Sequence, residues 1–310
     1  MIGLGLVPSD GSVVINYNAA SLSDLFSMNP RIRTEIAMNR SQPQVRRNFL
    51  ARIGALAASA SMVIVPASLQ ADPSKAPAAA TTGTIKGRLV YAAGPIPTPK
   101  VEVKKDDPRV KDAICKVEEH VNRELVIDPA TKGVANGFAY LVKPTGDYAA
   151  TEKELLAKNP QVVFDQVHCE FIPYAAVVHK DQKLIFKSSD PVGHNIRFNS
   201  FANGGFNQMV PTNGQLTIPI KKEERRPTPL ECSIHPWMTG YFFIVDHPFA
   251  VVTKPDGSFE ISGVPAGPQQ LVVWQGKGGY ATEGGNKGMK VEVKAGEVSD
   301  VGDVKITKIK

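Results

Sequence analysis

Cys232-Ser233-Ile234-His235-Pro236-Trp237-Met238 sets a thiol, an imidazole and a thioether three residues apart on one short stretch, between two runs of strand-like alternation (Leu230 to Cys232 and Tyr241 to Val245). Strand ends and the loops joining them bring such side chains to one rim of a sheet. A soft thiolate with a thioether selects copper over magnesium or calcium, and imidazoles complete a trigonal donor set with a weak axial sulfur. A second imidazole is available in Ser189-Asp190-Pro191-Val192-Gly193-His194-Asn195-Ile196, on a separate strand 38 residues before Cys232. Taken singly, a buried cysteine, histidine or methionine is usually core or hydrogen-bonded filler. The combination on seven residues is what points to a metal. Zinc is the other ion such donors suit.

Outward from that loop, short alternating runs recur: Val162 to Phe164, Ala175 to Val178, Lys183 to Lys187, His194 to Phe198 and Gln215 to Ile220. Such spacing predicts a sandwich of two packed sheets. His-Asn upstream with Cys-x-x-His-Pro-x-Met downstream resembles amicyanin and related plastocyanin-like cupredoxins of the methylamine-utilisation type, over residues 161–246. The resemblance implies a Greek-key sandwich holding one mononuclear copper ion, with His194, Cys232 and His235 as strong ligands and Met238 as the long axial one. It further implies that Asn195 clasps the ligand loop and that the ring edge of His235 reaches the surface as the electron exit. A redox protein partner would then dock near His235, on an apolar collar of Pro236 and Trp237. Pro236 has no N–H to donate toward the sulfur, which bears on the potential. The family's aromatic residues two and four before the cysteine are replaced by Leu230 and Thr228, so the packing behind the sulfur differs.

The flanks are also strand-rich. Gly83 to Tyr91 alternates, Val101 to Val103 and residues 136–143 read as strands, and Asp256-Gly257 lies between two alternating runs, a hairpin signal. Gly263 to Gly267 is a second turn, Leu271 to Trp274 a strand, and Lys290 to Lys308 a final pair around Ala295-Gly296. Asp106 to Val121 reads as a short helix or an irregular loop, and Thr151 to Lys158 as the best helix of this part. The run from Gly83 to Tyr91 with Val252-Thr253, Asp256 to Phe259 and Gly263 to Gly267 resembles the carboxypeptidase regulatory-like, or transthyretin-like, sandwich. That resemblance implies a split domain, 83–145 plus 247–310, with the copper module inserted; two domains in series is the alternative. The expected class is all-β, a cupredoxin sandwich combined with a transthyretin-like one.

The first 80 residues read as leader and linker. Val45-Arg46-Arg47-Asn48-Phe49-Leu50, followed by an apolar, Ala/Ser-rich run to Leu69, resembles a twin-arginine export signal, about 38–71. The run is short for a membrane span, so membrane attachment would follow only from an uncleaved leader. Cleavage falls near residues 72–80, and the start could be Met1, Met28 or Met38. Ala71 to Thr82 is a polar, Ala/Pro-rich linker. The expected location is periplasmic or secreted.

The 310 residues carry 36 Lys/Arg and 30 Asp/Glu; loss of a leader ending at Ala71 removes six and three of these and leaves +3. That balance gives no nucleic-acid footprint. With Cys232 committed to metal, Cys115 and Cys169 remain, and an exported setting favours a disulfide between them; a second metal site from Cys115, His120, His168 and Cys169 is the alternative. His179 and His247 have no partner motif. Six histidines without a His-x-His pair cannot build a trinuclear copper centre, and no nucleophile elbow, phosphate loop or haem attachment motif is present. An enzyme is therefore not expected. The open functions are single-electron transfer; storage, delivery or sensing of copper; and a structural or adhesion role with incidental metal.

Overall fold

A computed structural model describes residues 81–310; the leader, and all but the last two residues of the linker, lie outside the described residues. The chain is all-β. Strands β1 (Thr82–Tyr91), β2 (Val101–Val103), β3 (His120–Val121) and β4 (Phe138–Leu141) are followed by a helix, Ala149–Lys158. Next come β5 (Gln161–Val167), β6 (Glu170–Ile172), β7 (Ala175–His179), β8 (Lys183–Ser188), β9 (His194–Ser200), β10 (Gly204–Val210), β11 (Gln215–Ile218), β12 (Thr228–Glu231) and β13 (Thr239–Val245). The chain ends with β14 (Ala250–Val252), β15 (Ser258–Pro265), β16 (Gly267–Gln275), β17 (Gly279–Tyr280), β18 (Met289–Val293) and β19 (Val298–Ile306).

Four main sheets form, ordered β15-β1-β19, β14-β4-β16-β17 with β18 beside β16, β10-β9-β12-β13-β7, and β11-β8-β5-β6. The first two draw only on residues before 142 and after 249, the last two only on 161–245. Period-2 alternation then explains the cores. Ala139 and Leu141 of β4 point with Leu271 and Val273 of β16 into one cluster with Ile85, Leu89, Ile261 and Ile306. Phe164, Phe186, Ile196, Leu230, Phe242 and Ile244 fill a second cluster between the other pair of sheets. A third cluster joins the two sandwiches: Phe138 and Tyr140 of β4 and Val272 and Trp274 of β16 meet Tyr174, Ala175, Phe243 and Val245. Strands β4, β13 and β16 are therefore apolar on both faces, and their continuous apolar runs follow from sitting between two layers.

Two turns differ from the expected pairing, and a third differs in its extent. Asp256-Gly257 does turn the chain, with Gly257 N–H donating to Lys254 O at 2.8 Å, yet β14 pairs with β4 while β15 pairs with β1. Ala295-Gly296 likewise separates β18, beside β16, from β19, parallel to β1, and the turn expected over Gly263 to Gly267 shrinks to Ala266, between the end of β15 and the start of β16 in the facing sheet. All three cross between layers. Gly257, at φ +80°, lies where an added Cβ would sit 2.3 Å from Leu89 O, and one at Gly133 would sit 1.9 Å from Asp256 O. The turn is pinned against β1 by backbone contact that only glycine permits.

Strands β3, β6 and β10 carry no alternation clear enough to predict them. Between β2 and β3 the chain is irregular apart from one 3₁₀ turn, Ala113–Lys116. The helix begins two residues earlier than expected. Among the described residues no helix is long and apolar enough to cross a membrane.

Candidate metal centre

His194 opens β9 and points the same way as Ile196 and Phe198, so it enters the sandwich core at its rim and is fully buried. Cys232 follows the last residue of β12, and His235 and Met238 lie on the loop into β13. Cys232 N–H donates to Met238 O (3.0 Å) and Met238 N–H to His235 O (2.9 Å), folding the loop on itself. Asn195, on the opposite face of β9, accepts the Ser233 N–H at 2.6 Å through Oδ1, and its Nδ2 donates to Ser233 Oγ at 3.3 Å. The loop is thus fastened to the strand that carries His194.

The donor atoms of His194, Cys232 and His235 all lie within 4.8 Å of one another. The two Nδ1 atoms are 3.0 Å apart, and Cys232 Sγ is 3.8 Å from His235 Nδ1. Met238 is buried in the same apolar cluster as Cys232. Each imidazole turns its outer nitrogen to a carboxylate: His194 Nε2 to Asp190 Oδ2 at 2.8 Å, His235 Nε2 to Asp112 Oδ2 at 3.0 Å. A carboxylate on Nε2 holds the proton there and leaves Nδ1 facing inward as a lone-pair donor, the usual support for a metal-bound histidine. Asp190 is itself held by the N–H groups of His168 and Cys169. Neither aspartate was singled out by sequence. Asp190 stands four residues before His194, a spacing that could have flagged it; Asp112 has no such signal.

Electrostatics at the cluster favour a thiolate. Burial opposes ionisation of the Cys232 thiol, but hydrogen bonds from His194 and His235 and from the Asn195 and His235 backbone overcome it and hold the thiol down to about 5. Burial likewise opposes a charged His194, yet Asp190 and Cys232 raise it to about 9. Two Nδ1 lone pairs 3.0 Å apart need a positive charge between them. A proton can supply it, and so can a metal ion of the kind that takes thiolate and imidazole, the metal displacing the proton on binding. The residues fit copper on this chemistry.

The flanking segment changes the expected exposure. Cys115 and Cys169 form a disulfide, Cα to Cα 5.1 Å, and Cys115 Sγ lies 3.5 Å from His235 Nε2. With Asp112 beside it, this segment covers the ring edge expected at the surface, and His235 is only 3% exposed. Trp237 is half-buried, tilted against His235 (5.2 Å between centroids) and stacked on His120 (6.1 Å). Of the expected collar Pro236 is open to solvent, and Ile234 beside it is 45% exposed. The alternative metal site is not assembled: its cysteines are bonded, His120 faces Cys115 O and Glu170, and His168 faces Glu118 on the surface. His179 is buried against Glu152, and buried His247 accepts the Phe249 N–H.

No family model matches the chain, and no curated protein matches it in sequence. Solved structures similar to part of it include a reduced tryptophan-to-tyrosine mutant of amicyanin, 14% identical over 28% of this chain and 84% of that one, TM-score 0.26. A purple cupredoxin from Nitrosopumilus maritimus is 16% identical over 27% of this chain and all of that one, TM-score 0.24. The copper-containing nitrite reductase NirK from Thermus scotoductus SA-01 is 18% identical over 27% of this chain, TM-score 0.25, and only 22% of its own length is spanned.

Proposed function

We propose that the chain is an exported, non-enzymatic copper protein of cupredoxin type that carries single electrons in the periplasm or outside the cell. His194, Cys232 and His235 are its strong ligands and Met238 its weak axial one. The observation that carries this reading is the convergence of three buried donors within 4.8 Å, with both imidazoles backed by carboxylates. Bound copper supplies a one-electron couple. The protein's part is to keep the donors fixed in both oxidation states: Asn195 ties the ligand loop to β9, Asp190 and Asp112 fix the rings, and the apolar cluster around Cys232 and Met238 excludes water. The partner is a redox protein, approaching near His235 over the exposed Ile234 and Pro236. The flanking sandwich reads as a transthyretin-like scaffold into which the copper module is inserted.

The cover over His235 favours a second reading, in which copper is stored or delivered rather than cycled. One titration separates the two. Copper(II) added to the mature protein should give an intense visible thiolate-to-copper charge-transfer band and a reversible voltammetric wave, both lost in Cys232→Ser. A colourless, redox-silent copper-loaded protein would favour storage. Band and wave persisting in Cys232→Ser would remove the ligand assignment itself.

A further inference from the structure

The ligand loop does not enclose its own site. His235 leaves the sandwich rim with its Nε2 edge outward, and what meets that edge comes from residues 112–115, on the N-terminal flank and more than 110 residues away in sequence. Asp112 occupies the N-cap of the 3₁₀ turn Ala113–Lys116 yet makes no side-chain capping bond to it. An aspartate at that position ordinarily spends its carboxylate on the free N–H groups of its own turn. Here Oδ2 lies 3.0 Å from His235 Nε2 instead. The turn is fixed behind it: fully buried Cys115 is bonded to Cys169, and Cys169 N–H donates to Asp190, the carboxylate that holds the other imidazole. One covalent staple therefore joins the supports of both rings.

We propose that Asp112 is a positioning residue of the metal centre: its carboxylate accepts the His235 Nε2–H, turns Nδ1 toward Cys232 and His194, and is kept there by the Cys115–Cys169 disulfide. The site is thereby completed from outside the copper module. This rests on the copper reading above. A second consequence is electrostatic, because a carboxylate hydrogen-bonded to a ligand places negative charge beside the metal and favours its higher oxidation state.

The test uses the full mature chain loaded with copper. Asp112→Ala removes the acceptor and should weaken copper affinity by about 10- to 100-fold in competition with a chelator. It should also speed solvent exchange of the His235 ring N–H, followed by nitrogen-15 NMR of the copper(I) form. Asp112→Asn keeps an acceptor without the charge and should raise the reduction potential. Asp112→Glu should restore affinity and ring protection at least in part. Unchanged affinity and potential in the Ala and Asn variants would overturn the proposal, as would a loss that Glu does not rescue while the ring N–H stays protected. Rapid exchange of that N–H in the wild-type protein would overturn it without any variant. Failure of the copper reading looks different: the visible band would then not depend on Cys232, whatever the Asp112 variants do.

Discussion

The two sandwiches use the same strand grammar and end in different loops. The flanking one packs an apolar cluster in which the few buried polar side chains, Thr253 and Gln269 among them, are spent on backbone groups, and its Asp256-Gly257 turn is held by backbone contact at Gly133 and Gly257. The other has an equally apolar centre but opens at one rim onto Asp190, His194, Cys232 and His235, where Asp190 and Cys232 favour the charged form of His194 and hydrogen bonds from both imidazoles favour the thiolate of Cys232. Burying such groups is costly unless each finds a partner, and here the partners come partly from across the boundary, at Asp112. Strands make the two modules alike; the chemistry lies in the connections, and the rim that gathers His194, Cys232 and His235 is finished by a connection belonging to its neighbour.

The largest expected effect breaks the layer the two share. Phe243 is buried between Phe138, in edge contact at 6.0 Å, and Tyr140. Phe243→Ala should cost about 3–5 kcal/mol, and calorimetry should resolve two transitions in the variant and one in the wild type. A single transition in the variant would mean that this layer is not what couples the modules. Next is the staple: Cys115→Ser with Cys169→Ser opens a closure spanning 54 residues, worth about 4 kcal/mol in the loop-entropy picture, to be read as a lower urea midpoint.

A pair of glycine substitutions sharpens the contrast between pinned and open connections. Gly257→Ala forces a Cβ toward Leu89 O at a positive φ and should cost about 1–3 kcal/mol. Gly205→Ala on edge strand β10, where an added Cβ meets nothing nearer than 3.8 Å, should leave the urea midpoint unmoved. Equal midpoints for the two variants would remove the claim that the flanking turns are fixed by contact.

What was legible in the sequence follows the same division. Period-2 runs announced most strands, and the close spacing of Cys232, His235 and Met238 marked the loop on which Cys232 and His235 come to lie beside His194, because both signals are local. Which sheet a strand joins is not local: Asp256-Gly257 marks a turn whether the strands it connects pair or cross to facing layers. Edge strand β10 is mostly exposed, so nothing selects an alternating pattern there. Residues 104–119 have no period to read, since they are ordered by a disulfide and a histidine contact rather than by a buried face. The resemblance implied an open edge for His235 because the local motif contains no word about what lies over it.

The smallest effect concerns a histidine at the seam. His247 is buried beside Phe249, and burial lowers its pKa below the ordinary histidine value, outweighing the pull of Asp246. The unfolded chain takes up a proton at this residue below about pH 6.5 while the folded one does not, so the unfolded state binds more protons there and stability falls as pH drops through that value. His120 and His194 act in the opposite sense. For both, burial opposes the charge but is outweighed by partners, Glu170 and the Cys115 carbonyl for His120, Asp190 and Cys232 for His194. Their contribution is present below the unfolded value and is lost as pH rises through the folded one. Only a difference measurement isolates the seam. Comparing wild type with His247→Gln by urea unfolding between pH 7.5 and about pH 5, the wild type should lose more stability on acidification, by a slope of less than one proton. Parallel curves would mean that His247 contributes nothing to the acid sensitivity of this protein.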